Sequence, residues 1–328
     1  MIEIIRPGPL SSVQDAGRAG YRHLGVGVAG AMDDLAIVAA NLMVGNDECA
    51  AAIEVTLGGI ELRFTRACAF AITGADAGFT LDGEPLPGWW AATAREGQVL
   101  KAAAPRFGLR SYIAVSGGIA AEPVLGARAT DLKAGFGGFS GRTLAAGDCL
   151  PLGEARVLAR PFGLAAGKLG LMPRHADAEA ATVLRMVPAA EWDDHDGDMQ
   201  SLFLSTEWKV DPASNRVGIR LTGPQIRPVR PRELLSHGIL PGTVQLPPSG
   251  APIVQMHDAN TVGGYPKLGV VIAPDLRLLA QTRLGGRVRF VRVSREEALE
   301  ALRERQRQVE RIRVLCEMAR SLSGGPAA

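Results

Sequence analysis

Apolar residues fall along this chain in short runs, each closed by Gly, Pro or Asp, a pattern that marks antiparallel strands joined by tight turns. Residues 3–5, 51–56, 60–64, 68–73, 79–81, 98–101 and 110–116 make a first block of such strands. Residues 182–187, 208–210, 219–221, 243–246, 253–256, 270–273 and 287–293 make a second. Between them lies a Gly- and Ala-rich stretch, about 151–180, with weak patterning. The pattern predicts a mainly β protein with its domain boundary in that stretch.

Two segments change to a helical period. Over 33–44, Asp33 can cap the free amides and Gly45 can take the left-handed conformation that ends a helix. Further on, Ser294-Arg295-Glu296-Glu297 is a capping box, with Ser294 at the N-cap and Glu297 at N3. It opens a helix over 294–322, along which Leu299, Leu302, Val309, Ile312, Leu315 and Met318 recur among Arg and Glu. That stripe fits a helix packed on its own domain, with a helix that meets the other domain, a partner or a second copy of the chain as the alternative.

Composition narrows the classes of function. The 40 Gly and 21 Pro are spread through apolar-patterned sequence, which suits a turn-rich β protein and not a disordered one. A net charge of +2 provides no field for a nucleic acid. Cys49, Cys68, Cys149 and Cys316 form no CxxC pair, so the expectation is buried, reduced thiols in a cytoplasmic protein. No apolar run is long enough to span a membrane. The first residues, with Glu3 and Pro7 and no apolar stretch, predict no signal peptide.

Three motifs invite a ligand and miss the standard pattern, the first staying open as a Gly-rich connection facing a ligand and the second open between a functional loop and a scaffold turn. Gly25-Val26-Gly27-Val28-Ala29-Gly30 matches GxGxxG, but Tyr21-Arg22-His23-Leu24 is no feeding strand and no βαβ pattern follows. Gly135-Phe136-Gly137-Gly138-Phe139-Ser140-Gly141-Arg142 resembles a phosphate cradle without the Gly-Lys-Ser/Thr of a P-loop. Asp193-Asp194-His195-Asp196-Gly197-Asp198 lacks the spacing of a calcium loop and reads as a solvated acidic loop. No metal site is predicted.

Chemistry gathers in 241–277. Two β-branched runs are separated by Pro247-Pro248-Ser249-Gly250, then followed by His257, Asp258 and Asn260, and by Gly263-Gly264-Tyr265-Pro266-Lys267. Polar side chains at a strand end, on a loop whose glycines admit a ligand to the backbone, are a common way to build a site. The charges of His257 and Asp258 need a partner or a ligand there. Lys267, in a glycine loop and expected outside the core, can neutralise a carboxylate or carboxyphosphate. His257, Asp258 and Lys267 are the candidate catalytic residues. Arg216 and Arg220, on either side of Gly218, can each clamp a carboxylate, and Tyr265 can hydrogen-bond one. With Asn260, Gly263 and Gly264, and with Arg128 and Asp131 beside the 135–142 loop, they are the candidate binding residues. A structural salt-bridge network would use the same residues.

The same stretch resembles a family signature, PGTIQ, PxGxPI and QTTGGYPKI, that of the KipA-like family, also called allophanate hydrolase subunit 2. Pro7-Gly8-Pro9-Leu10, Gly30-Ala31-Met32-Asp33, Thr73-Gly74-Ala75-Asp76 and Gly137-Gly138-Phe139-Ser140-Gly141-Arg142 follow in the family's order, so the resemblance covers nearly the whole chain. It is weakest over 151–200 and after about 295. Serines of the family's GSRSTDL are replaced by Ala127 and Ala129, and Asp and Tyr of SDRMGYRL by Asn215 and Ile219. The resemblance implies two cyclophilin-like β-barrel domains, over 1–160 and 181–293, with few helices besides the one at 294–322. It also implies one component of an ATP-dependent 5-oxoprolinase, in which phosphorylation of a cyclic amide oxygen precedes ring opening to glutamate. A KipI-like B subunit and a LamB/YcsF-like A subunit would be its partners, with ATP bound in the complex and homo-oligomers also open. Two alternatives come with the family. One is a carboxyltransferase component of a urea carboxylase-like system, with biotin carried on another protein. The other is a non-catalytic regulator that binds a KipI-like kinase inhibitor.

Overall fold

The structure, a computed structural model, describes residues 1–172, 180–227 and 234–323. Part of the expected boundary stretch lies outside these residues. The chain divides into two compact units, one of Met1–Arg18, Ala29–Arg174 and Gln306–Ala328, the other of Ala19–Val28 and His175–Arg305. These limits differ from 1–160, 181–293 and 294–322, because Ala19–Val28 joins the second unit and the distal part of the C-terminal helix joins the first.

The first unit has two six-stranded sheets. Ile2–Pro7, Ile60–Phe64 and Val99–Lys101 are successive strands of one, and Cys68–Asp76, Phe107–Val115 and Ala52–Thr56 of the other. Period-2 alternation places Ile2, Ile4, Leu62 and Phe64 of one sheet in the same core as Ile53, Val55, Phe70 and Ile72 of the other. The first of the two expected barrels is built as two sheets over one core. Helix α1 (Asp34–Met43) covers the second sheet, packing Leu35 and Ala39 with Ala71 and Ala114. It starts where expected: the Asp33 carboxylate accepts from Ala36 N at 3.1 Å, and Gly45 ends it at φ 77°.

The second unit is a closed barrel. Around it run Thr182–Pro188, Lys267–Val271, Thr243–Gln245, Ile253–Gln255, Gly218–Thr222, Trp208–Val210 and Arg287–Arg292. Leu184, Met186, Val244, Val254 and Phe290 are buried in it. Two helices stand where the sequence pattern predicts none. Helix α2 (Gly197–Ser205) starts at the end of the acidic loop, where the Asp196 carboxylate caps it by accepting from Met199 N. It stacks Phe203 on Phe290 at 4.8 Å. Helix α3 (Ala273–Gln281) overtakes the end of the strand predicted at 270–273, and Pro274 in its first turn is the overlooked start signal.

Helix α4 (Arg295–Ser323) opens on the predicted capping box: Glu297 N donates to Ser294 Oγ at 3.1 Å and Ser294 N to Glu297 Oε2 at 2.7 Å. Its buried line is Ile312 and Cys316, flanked by the partly buried Val309, packed with α1 in the first unit's core. Leu299, Leu302, Leu315 and Met318 of the predicted stripe stay exposed. All four cysteines are free, and Cys49 and Cys149 are exposed instead of buried. Among the described residues no helix is long and apolar enough to cross a membrane, and no metal-ligating cluster forms.

Candidate functional site

Lys267 opens a barrel strand and is only 7% exposed, so it belongs to the wall of the barrel and not to a solvated glycine loop. Its Nζ donates to the Tyr265 carbonyl at 3.2 Å and lies 3.5 Å from His237 Nδ1. His237 Nε2 in turn lies 3.9 Å from the carboxylate of Glu191, which is nearly buried in the 3-10 turn Ala190–Asp194. Burial lowers the Lys267 pKa, and the charge of Glu191 acts against that shift. The three side chains form an acid–base line from the buried turn to an ammonium with reduced hold on its proton. Between them the half-exposed imidazole gives its Nδ1 hydrogen to the Leu235 carbonyl at 2.9 Å, which leaves Nε2, on the Glu191 side, to exchange a proton.

The glycines bring the backbone up to this line. Gly263 pairs with His237 in a two-residue ladder, Gly238 with Val262, which seats the imidazole over the barrel end. A Cβ on Gly263 would lie 2.5 Å from Gln245 Nε2, so a side chain there would displace the glutamine. Gln245 pairs directly with Lys267 across the barrel ladder, and its Oε1 accepts from Gln255 Nε2 at 2.8 Å. Beside them, Arg22 donates to the Ile239 carbonyl, and burial lowers its pKa. Tyr265 is 47% exposed at the edge. Of the predicted residues, Lys267, Gly263, Gly264 and Tyr265 meet here. Glu191, His237, Gln245, Gln255 and Arg22 join them. Gln245 closes the Pro241-Gly242-Thr243-Val244-Gln245 run that matches the family signature, whereas no local motif marks the other four, each of which comes from a different strand or turn.

The other predicted residues are held by different contacts. Arg216 and Asp258 clasp one another: Nε to Oδ2 and Nη2 to Oδ1, both 2.9 Å, with side chains 4% and 1% exposed. Asp258 N also donates to the Arg216 carbonyl at 3.0 Å. This is a buried, bidentate pair that pins the turn holding His257 to the strand Gly218–Thr222. His257 is half-buried in that turn, while Arg220 and Asn260 are exposed. Arg128 and Asp131 are in the first unit. Arg128 Nε donates to the Ala121 carbonyl at 2.8 Å, and the Asp131 carboxylate caps Lys133 N and Ala134 N, so both order their own loop. In the neighbouring 135–142 loop, Arg142 is held by both oxygens of Asp148 at 2.8 Å, and Gly138 lies against Thr130. That loop is a packed turn and does not fit a phosphate cradle.

The profile of the carboxyltransferase domain, subdomain A and B, matches residues 24–292. The chain belongs to this family. It is similar to the C subunit of 5-oxoprolinase from Escherichia coli, 42% identical over 95% of this chain and 97% of the relative. The corresponding C subunit of Haemophilus influenzae is 39% identical, again over 95% of this chain, and 98% of the relative. Similarity extends to urea amidolyase of Saccharomyces cerevisiae, 32% identical over 93% of this chain but only 17% of that enzyme. Among solved structures, Kluyveromyces lactis urea carboxylase matches with a TM-score of 0.87 at 27% identity, covering 95% of this chain and 29% of that one. The family fold is therefore the mainly β one described above. The arrangement holds a cation, side-chain amides and groups that can exchange a proton, the kinds of group that acyl chemistry uses.

Proposed function

We propose that this chain is the C subunit of a 5-oxoprolinase, a hydrolase that opens the cyclic amide of 5-oxoproline to glutamate. The observation that carries the reading is end-to-end similarity to the C subunits of 5-oxoprolinases, over 95% of this chain and 97% of the relative. The urea amidolyases match the chain only as a small segment of much larger proteins. Geometry supports the choice. Lys267 would hold the substrate carboxylate, and His237 with Glu191 would pass the proton that the ring nitrogen must gain when its C–N bond breaks. The activity would be ATP-dependent and would belong to a cytoplasmic complex with a KipI-like B subunit and a LamB/YcsF-like A subunit. The 135–142 loop does not fit a phosphate cradle, so ATP is assigned to those partners.

The test is reconstitution. The chain alone should release no ADP in response to 5-oxoproline, and the three-subunit complex should release it with glutamate in equal amounts. Robust 5-oxoproline-dependent ATP turnover by the isolated chain would overturn the partner assignment. The structural match to urea carboxylase favours a second reading, carboxyl transfer from biotin on another protein to a urea-type acceptor. A complex that is inert to 5-oxoproline but carboxylates urea with added carboxybiotin carrier would put that reading first.

A further inference from the structure

Gln245 ends the barrel strand Thr243–Gln245 and is 5% exposed. Val244 pairs with Val254, so positions 245 and 255 are diagonal neighbours on one face of the ladder, within reach of each other's long side chains. Their amides meet, Gln255 Nε2 donating to Gln245 Oε1 at 2.8 Å. That bond occupies the oxygen and turns the nitrogen away. Gln245 Nε2 is buried and has no hydrogen-bond partner among the described residues. Buried amide donors are nearly always satisfied, because leaving one unmade is destabilising, so this one calls for an explanation.

Its position offers one. Lys267 is directly across the ladder from Gln245. Gly263, the residue over Nε2, pairs with His237, and His237 is the neighbour of the Lys267 ammonium. The unpartnered donor thus lies against Gly263, in the space that the missing side chain leaves, next to the strands that carry Lys267 and His237. We infer that Gln245 is a substrate-binding residue whose Nε2 donates to the carbonyl oxygen of an amide- or urea-type ligand, beside the Lys267 ammonium that takes an anionic group. Gln255 holds the amide in its donating orientation. The choice of 5-oxoproline as ligand rests on the function proposed above, whereas the donor itself does not.

The experiment uses the reconstituted complex and two variants that reach the donor by different routes. Gln245→Met removes it at similar length. Gly263→Ala keeps it but puts a methyl where Nε2 lies, at a position whose backbone any residue can adopt. Binding of 5-oxoproline and of urea is measured by equilibrium dialysis, with steady-state kinetics on whichever is turned over. For each ligand the wild type binds, both variants should raise Kd and KM by ~10-fold, as for the loss of one good hydrogen bond, with kcat within about threefold. Wild-type affinity in both variants would overturn the assignment. So would a fall in melting temperature with Kd unchanged, which would make Gln245 structural. If the wild type binds urea but not 5-oxoproline, the 5-oxoprolinase reading falls and Gln245 is judged on urea. Binding of neither ligand would overturn both.

Discussion

At the scale of single residues, burial decides what each charge can do. Lys267 gives up its proton more readily in the folded protein than at the usual lysine value of 10.5. The unfolded chain keeps that proton to higher pH, so over the window just below 10.5 it binds more protons than the folded state, and stability rises with pH there. Denaturant midpoints between about pH 8 and 10 should therefore climb more in the wild type than in Lys267→Met. Equal slopes would mean that Lys267 is an ordinary solvated lysine. In the complex, Lys267→Ala should cut kcat/KM by ~100-fold, as expected for loss of the charge that holds the substrate carboxylate, while the chain stays folded. Asp258 makes the contrasting case. It is committed to Arg216, so Asp258→Asn should destabilise the second unit by about 3–5 kcal/mol, because the guanidinium stays buried after its carboxylate is gone. Denaturant unfolding of the isolated chain checks this. A loss of rate with unchanged stability would instead return Asp258 to the catalytic group.

At the scale of elements, sequence signals predict well wherever the relevant chemistry is local. The N-caps of α1 and α4 are readable from Asp33 and from Ser294 with Glu297, since a cap joins residues three apart. Ser294→Ala should therefore cost about 1 kcal/mol, and Ser294→Asp, which can also cap, close to nothing, as read from helix amide exchange. The cap of α2 is equally local. Asp196 nevertheless escapes a reading of the sequence, because a run of acids looks like solvated loop until Phe203 is seen stacked on Phe290, a contact that joins α2 to a strand remote in sequence. The line buried on α4 is not legible either. Ile312 and Cys316, flanked by Val309, keep helical spacing, but so does the exposed set around Leu299 and Met318.

At the scale of the whole molecule, α4 adds its buried line to the core of the first unit, so Ile312→Ala should cost about 2–5 kcal/mol through the cavity it leaves beside α1. A melting temperature within a degree or two of wild type would show that the packing there is dispensable. The chain's alternation of apolar and polar residues, its turns and its caps by themselves determined a mainly β architecture, most strand positions and the ends of two helices. Each of these depends on residues that are neighbours along the chain. Family membership was legible for the same reason, since its motifs are continuous. Only the tertiary structure decided that Arg216 and Asp258 cancel each other, that Arg128 and Asp131 order their own loop, and that Glu191, His237 and Gln245 meet Lys267. Those outcomes depend on barrel closure and ladder register, which bring together side chains far apart in sequence and withdraw them from water.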